Sequence, residues 1–247
     1  MIINLSAREL RSLFQSPLAW TLLAVLTLVL AWLFLVQIET YLKIEPNLIS
    51  RSSEQGVTDL IITPLFDSSA MIFLLITPLL TMRLLSEEYR TGTIQLLLSS
   101  TLSTRQIILG KYLALLGMLA CALLLTALLP FSLLFGADVD TGRVFASLLG
   151  LALLISSYGA IGLLLSSLTE QPAVAAVGTY GVLLFLWIIN LSNQSELFGW
   201  LSLANHYRPF LSGVVNTGDI SYFILIIGAS LLMSMHQLVQ RQGVGNR

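Results

Sequence analysis

Six long apolar stretches, separated by shorter polar connections, run along this 247-residue chain. They lie near residues 18–38, 66–85, 107–133, 144–166, 174–192 and 220–238. Each supplies the roughly 20 residues that a helix needs to cross about 30 Å of hydrocarbon. The stretches are Leu-rich and continuous, whereas strands of a membrane barrel alternate apolar and polar residues over shorter lengths. Helices also satisfy their own backbone groups, which irregular chain in lipid cannot do. The pattern predicts an all-α polytopic membrane protein, a single domain over 1–247 with six transmembrane helices. Composition strengthens this: 56% of residues are hydrophobic and 10% charged, and the mean hydropathy is +0.87, far from the balance of soluble domains.

The connections carry their own patterns. Over residues 2–15, Ile2, Ile3, Leu10, Leu13 and Phe14 share one side of a helical projection, opposite Asn4, Arg8, Arg11, Ser12 and Gln15. Such a segment predicts a helix (1–16) lying in the membrane surface. Ser16-Pro17 ends it, because Pro17 disfavours helix at the preceding residue yet suits the first turn of the next. Residues 39–65, with Pro46, Gly56 and Pro64, read as a polar connection. Asp67 and Ser68 offer a cap for the second span, and Pro78 predicts a kink within it.

After that span comes Arg83-Leu84-Leu85-Ser86-Glu87-Glu88-Tyr89-Arg90-Thr91-Gly92-Thr93-Ile94, a dense polar patch in an otherwise apolar chain. Gly92 interrupts the helix, Thr93 can cap a short new one through Leu98, and Ser103-Thr104-Arg105-Gln106 forms a capping box that opens the third span. This predicts a rung lying across one surface of the membrane. The fourth and fifth spans carry Ser156, Ser157, Gly159, Ala160 and Gly162, then Ala173, Ala175, Ala176, Gly178 and Gly181, small residues that let helices approach closely in lipid. Thr169-Glu170-Gln171-Pro172 makes a tight turn between them. In residues 193–219, two apolar pieces too short to span, 198–204 and 210–215, flank His206-Tyr207-Arg208-Pro209 and predict a re-entrant or interfacial hairpin on the outer side. Trp187, Trp200, Tyr207 and Tyr222 are its expected headgroup-level anchors.

Charge orients the molecule. With the N-terminus inside, Arg8, Arg11, Arg83, Arg90, Arg105, Lys111, Arg241 and Arg247 fall inside and only Lys43, Arg51, Arg143 and Arg208 outside, which predicts cytoplasmic N- and C-termini. No basic cluster is large enough for nucleic acid. The single cysteine, Cys121, permits no internal disulfide and is expected to pack as a small apolar residue. The first apolar run is longer than a signal core and lacks a cleavage site, so it reads as a retained span.

Glu87-Glu88 invites comparison with intramembrane proteases that activate water with paired acids. The arginine spacing differs from theirs, however, and His206 and His236 are expected on opposite sides of the membrane, so the protease reading is the minor alternative. Gly110-Lys111 resembles the end of a phosphate-binding loop, but Arg105 and Tyr112 stand where that loop needs glycine and Ser or Thr. No nucleotide or metal site is predicted, and Lys111 is expected to snorkel to the inner surface. No span has an ionisable residue at its middle, as ion-coupled transport requires, so the energy for any transport is expected from another subunit.

The run from Thr81 to Leu98, continued by Ile107-Ile108-Leu109-Gly110-Lys111-Tyr112, resembles the cytoplasmic signature of membrane (permease) subunits of type-2 ABC transporters. The resemblance is nearest to the gliding-motility GldF-like branch. Arg8 to Leu18 and the stretch from His206 to Val215, with Asp219 and Tyr222-Phe223, agree with it. The resemblance implies a coupling helix between spans two and three, with Glu87, Glu88, Arg90, Thr91, Gly92, Thr93 and Ile94 contacting a cytoplasmic ABC ATPase. It also implies an interfacial helix marked by Arg8, Arg11 and Phe14, and an outer hairpin at His206, Tyr207, Arg208 and Pro209. Two permease copies or paralogues would pair with two ATPases that bind the ATP and Mg. An auxiliary membrane protein with a large external domain would accompany them in the bacterial inner membrane. The alternative is a scaffold that couples the ATPase to mechanical work or protein extraction.

Overall fold

The computed structural model describes residues 2–51, 56–93, 103–133, 139–189 and 196–245. All regular structure among them is helical. In chain order these are α1 (Ile2–Gln15), α2 (Pro17–Arg51), a π-helical turn (Thr58–Ile62) leading into α3 (Thr63–Thr81), and α4 (Ser86–Thr91). There follow α5 (Thr104–Leu133), α6 (Thr141–Leu168), α7 (Pro172–Ile188), α8 (Glu196–Leu201), α9 (Leu203–Leu211) and α10 (Thr217–Gly245). Five of these regions are long and apolar enough to cross a membrane, and α7 is a shorter apolar sixth. This is the all-α polytopic architecture that the hydropathy pattern predicts.

Several boundaries move for physical reasons. The segment expected to be a polar connection after residue 38 continues α2 to Arg51. Glu39 supports that extension by pairing with Lys43 at 2.6 Å, in the favourable i, i+4 order. At about 1.5 Å per residue, 35 residues make a helix longer than the bilayer core is thick. The next helix starts at Thr58, so Asp67 and Ser68 lie inside it and cap nothing. Pro64 is tolerated in the first turn of α3. Helix α3 runs through Pro78 and stops one turn later at Thr81, where the Met82 N–H reaches the Pro78 carbonyl at 2.9 Å. Helix α3 itself therefore ends short of residue 85, while the apolar segment that could cross a membrane continues to Thr91.

Helix α6 is the spine, packed by α3, α5, α7, α9 and α10. Its most apolar stretch is 61% buried, against 22% for α2 at the periphery. Leu151, Leu154, Tyr158, Ala160 and Leu163 are fully enclosed. The small residues predicted to admit close neighbours do so on this helix. A Cβ at Gly159 would meet Leu115 of α5 at 2.9 Å, and one at Gly162 would overlap the Thr81 side chain of α3. On α7 the pattern is mixed, since Ala175 and Ala176 are buried while Gly181 faces open space. Cys121 is half-buried and free.

Gly162→Ala forces overpacking against Thr81 and should cost about 1–3 kcal/mol, seen as a lower unfolding midpoint of the purified chain in detergent. Gly181→Ala, with no neighbour to meet, should be neutral or stabilising by up to about 1 kcal/mol.

Candidate functional site

The polar patch begins at α4, a helix of only six residues. Alone it would not persist, because a single turn does not repay helix nucleation. Ser166 on α6 holds its start: the Ser166 hydroxyl accepts from the Leu85 and Ser86 N–H groups at 3.1 Å each and donates to the Met82 carbonyl at 3.2 Å. That uses the single donor and both lone pairs of the hydroxyl. Ser86 adds a second bond to the Met82 carbonyl. Glu87 and Glu88 occupy the first turn and Arg90 the last, both favourable toward the helix dipole. Gly92 closes the helix in the left-handed region at φ +71°, with its N–H on the Tyr89 carbonyl at 3.2 Å. Thr91 bonds back to the Glu87 carbonyl at 2.9 Å, and its hydroxyl lies 2.9 Å from that of Thr93. Ile94 and the surface helix expected after Thr93 lie outside the described residues.

The two acids of α4 have different fates. Glu87 stays near the surface, 3.7 Å from the largely exposed Arg90. Glu88 turns inward and receives Lys111 Nζ at 2.6 Å, while Glu9 of α1 stands 3.3 Å from the same nitrogen. Lys111 is 2% exposed. The expected snorkelling does not occur, because α1 and α4 bring two carboxylates to the ammonium and take the place of water. One Glu88 oxygen is left without a partner.

The seat of α1 explains how Glu9 arrives there. A Cβ at Gly110 would stand 2.7 Å from Leu5, and one at Gly117 3.1 Å from Leu10. Both notches advance in the same direction along α1 and α5, so α1 runs alongside α5. Leu5, absent from the predicted apolar arc, is 5% exposed, whereas Ile3 within that arc is 77% exposed. Arg8 and Arg11 face outward, and Phe14 packs its ring against Trp20, whose indole donates to the Phe14 carbonyl at 2.7 Å. The reciprocal capping box at the start of α5 is present: Ser103 N–H donates to Gln106 Oε1 at 3.0 Å, and Gln106 N–H to Ser103 Oγ at 3.4 Å.

At the opposite end of the bundle, α8 and α9 form the hairpin, but its break is at Ser202. His206, Tyr207, Arg208 and Pro209 all lie within α9, and Ser202 caps that helix at Asn205. Tyr207 is fully buried and donates to the Phe66 carbonyl at 3.1 Å; Tyr222 is 4% exposed and donates to the Leu201 carbonyl at 2.6 Å. Neither is a headgroup anchor, because each phenol bonds a backbone carbonyl inside the protein. Trp200 remains exposed. His206 stacks on Tyr222 and places Nδ1 2.6 Å from Asp219 and Nε2 2.9 Å from the Trp200 carbonyl. Which ring nitrogen donates is set by the tautomer. Arg143 at the start of α6 binds Asp59 at 2.5 Å and the Leu211 carbonyl at 2.7 Å, and Gly150 leaves room for Phe210.

Neither histidine is a partner of Glu87 or Glu88: His206 belongs to the hairpin, and His236 bonds Gln240 at 2.9 Å. The constellation that a protease needs is not assembled from these residues. Among the described residues no group of three or more His, Cys, Asp or Glu side chains could hold a metal. Three participants escaped the sequence reading. Glu9 and Ser166 carry no local signal of a partner more than 75 residues away. Arg143, an isolated cation at a helix start, was legible only as a topological charge.

Long apolar helices around a central one, with a short polar helix pinned at one end and a hairpin at the other, define a multi-pass membrane protein. The chain belongs to the ABC-2 family transporter proteins, whose match runs over residues 3–239. It is thus a permease component of an ABC transporter, not itself the catalytic one, in a family that implies an ATP-binding partner. No curated protein matches the chain significantly.

Lys111→Met strands two carboxylates and should destabilise the protein by about 3–5 kcal/mol in denaturant unfolding. Adding Glu9→Gln and Glu88→Gln should recover much of that loss. Ser166→Ala leaves two buried N–H groups without an acceptor and should cost about 1–3 kcal/mol, with faster hydrogen exchange confined to residues 85–92.

Proposed function

We propose that this chain is the exporter-like permease subunit of a type-2 ABC transporter, driven by separate cytoplasmic ATPase subunits that bind the ATP and Mg. It works beside a second copy or a paralogue in the bacterial inner membrane, with both termini in the cytoplasm. The observation that carries this reading is the construction of α4. Its exposed side offers Glu87, Arg90 and Thr91, with Thr93 just beyond its end, while its buried side is tied to α6 through Ser166, to α5 through Glu88 and Lys111, and by way of Lys111 to Glu9 of α1. A helix so anchored transmits a push where a loose loop would absorb it. Glu87, Arg90, Thr91, Gly92 and Thr93 form the ATPase-facing surface; Ile94, expected with them, lies outside the described residues. Glu88 lies behind them as the internal tie.

The sequence resemblance supports the GldF-like branch, and with it an auxiliary membrane protein bearing a large external domain. Copurification with a coexpressed ABC ATPase from the same source tests the coupling claim. Glu87→Ala with Arg90→Ala should weaken association about tenfold, equivalent to 1.4 kcal/mol, and lower membrane-stimulated ATP hydrolysis. Unfolding should shift by no more than about 0.5 kcal/mol, as for surface changes. Unaltered assembly and hydrolysis would remove the docking role. ATP turnover in vesicles without movement of any solute or lipid would favour the mechanical scaffold instead.

A further inference from the structure

A cavity of about 280 Å³ opens at the hairpin end between α3, α7 and α9, lined by Asp67, Met71, Trp187, Ile188, Tyr207 and Arg208. It is slightly smaller than the roughly 300–1,000 Å³ of pockets that enclose a drug-sized molecule, a scale that suits one polar group of a larger ligand. Asp67 and Arg208 are both exposed and share this cavity, yet they form no ion pair with each other. Among the described residues neither has a hydrogen bond or salt bridge to the protein. Two opposite charges are therefore held apart across one opening, with a tryptophan ring beside them.

Below the opening the surface changes character. Asp67, Met71 and Leu75 follow one another at i, i+4 and i+8 along α3, and both apolar members are 54% exposed. On α7, Ile188, Leu184, Gly181 and Val177 form a second exposed stripe that starts at the cavity. Tyr180 donates to the Leu75 carbonyl and holds the two helices together beneath it. A bipolar head thus sits above two apolar ridges on helices long or apolar enough to lie in a bilayer.

We propose that this cavity binds the headgroup of a zwitterionic, amine-bearing phospholipid such as phosphatidylethanolamine. The Arg208 guanidinium takes the phosphate. The Asp67 carboxylate takes the ammonium beside the Trp187 ring, which adds a cation–π attraction, and the acyl chains lie along the Met71–Leu75 and Ile188–Val177 stripes. An anionic lipid without the amine would satisfy Arg208 and leave Asp67 facing like charge. A free headgroup would make the polar contacts and leave the stripes uncovered. The site stands on the cavity alone and does not depend on the ATPase reading.

The test uses the full chain, purified without any ATPase and exchanged into detergent with equal amounts of phosphatidylethanolamine and phosphatidylglycerol of matched acyl chains. Native mass spectrometry reads the lipid retained. The wild type should keep the amine-bearing lipid about tenfold over the anionic one, the discrimination expected of one charge-assisted contact. Asp67→Asn should bring that ratio close to one, Asp67→Glu should restore it, and Arg208→Gln should reduce retention of both lipids. Circular dichroism and unfolding midpoints establish that each variant is folded. Equal retention by the wild type, or an unchanged ratio in Asp67→Asn, would overturn the proposal. Displacement of bound lipid by millimolar glycerophosphoethanolamine would assign the site to a soluble zwitterion and overturn the lipid. Spontaneous dimer cross-linking through Met71→Cys in a Cys121→Ala background would show that a second copy covers the cavity, with the same consequence.

Discussion

An ammonium group withdrawn from water is costly unless carboxylates replace its hydration, and Lys111 meets that condition only where three separate helices converge. Glu88 comes from α4 and Glu9 from α1, while Lys111 itself stands on α5. Moving any of the three elements uncovers a buried charge. The glycine notches at Gly110 and Gly117 bring α1 close enough for Glu9 to reach, so apolar packing and ion pairing depend on each other here. This coupling turns a six-residue helix into a fixed part of the bundle. It also ties the N-terminal helix to the proposed driving surface, so a displacement of α4 is felt at α1.

Helix α6 serves both ends of the molecule. Arg143, Ser147 and Gly150 receive the hairpin through Leu211 and Phe210, and Gly162 and Ser166 receive α3 and α4. From Arg143 to Ser166 the helix rises about 35 Å, more than the thickness of the hydrocarbon core. Lipid supplies no hydrophobic drive between helices, so contact at close range and bonds between polar groups must hold such a bundle. The small and hydroxylated residues of α6 meet that need. One stiff helix that seats both α4 and the hairpin gives a direct mechanical path between the two ends of the bundle.

The same arrangement leaves particular groups outside the internal bonding. Glu87 and Arg90 remain near the surface while Glu88 is enclosed, and Asp67 and Arg208 remain at the cavity mouth while Arg143 and Asp59 pair nearby. Neighbouring residues of similar chemistry thus divide into those that hold the fold and those available to a ligand or partner. That division rests on which carboxylate finds a cation across the bundle.

Hydropathy was enough to establish the helical membrane architecture, because a spanning segment must be apolar along its whole length and satisfy its own backbone. Local signals were equally readable where they act over three or four residues: the break at Ser16-Pro17, the stop at Gly92, and the box formed by Ser103 and Gln106. Boundaries were less so: Pro46 and Pro64 argued for a connection over residues 39–65, yet helix continues to Arg51 and resumes at Thr58. The destinations of Lys111, Glu88, Tyr207 and Tyr222 were decided only by tertiary structure. Each is an amphipathic side chain whose sequence context fits the membrane surface as well as the interior. Only the carbonyl or carboxylate delivered by a distant segment makes burial the lower-energy choice.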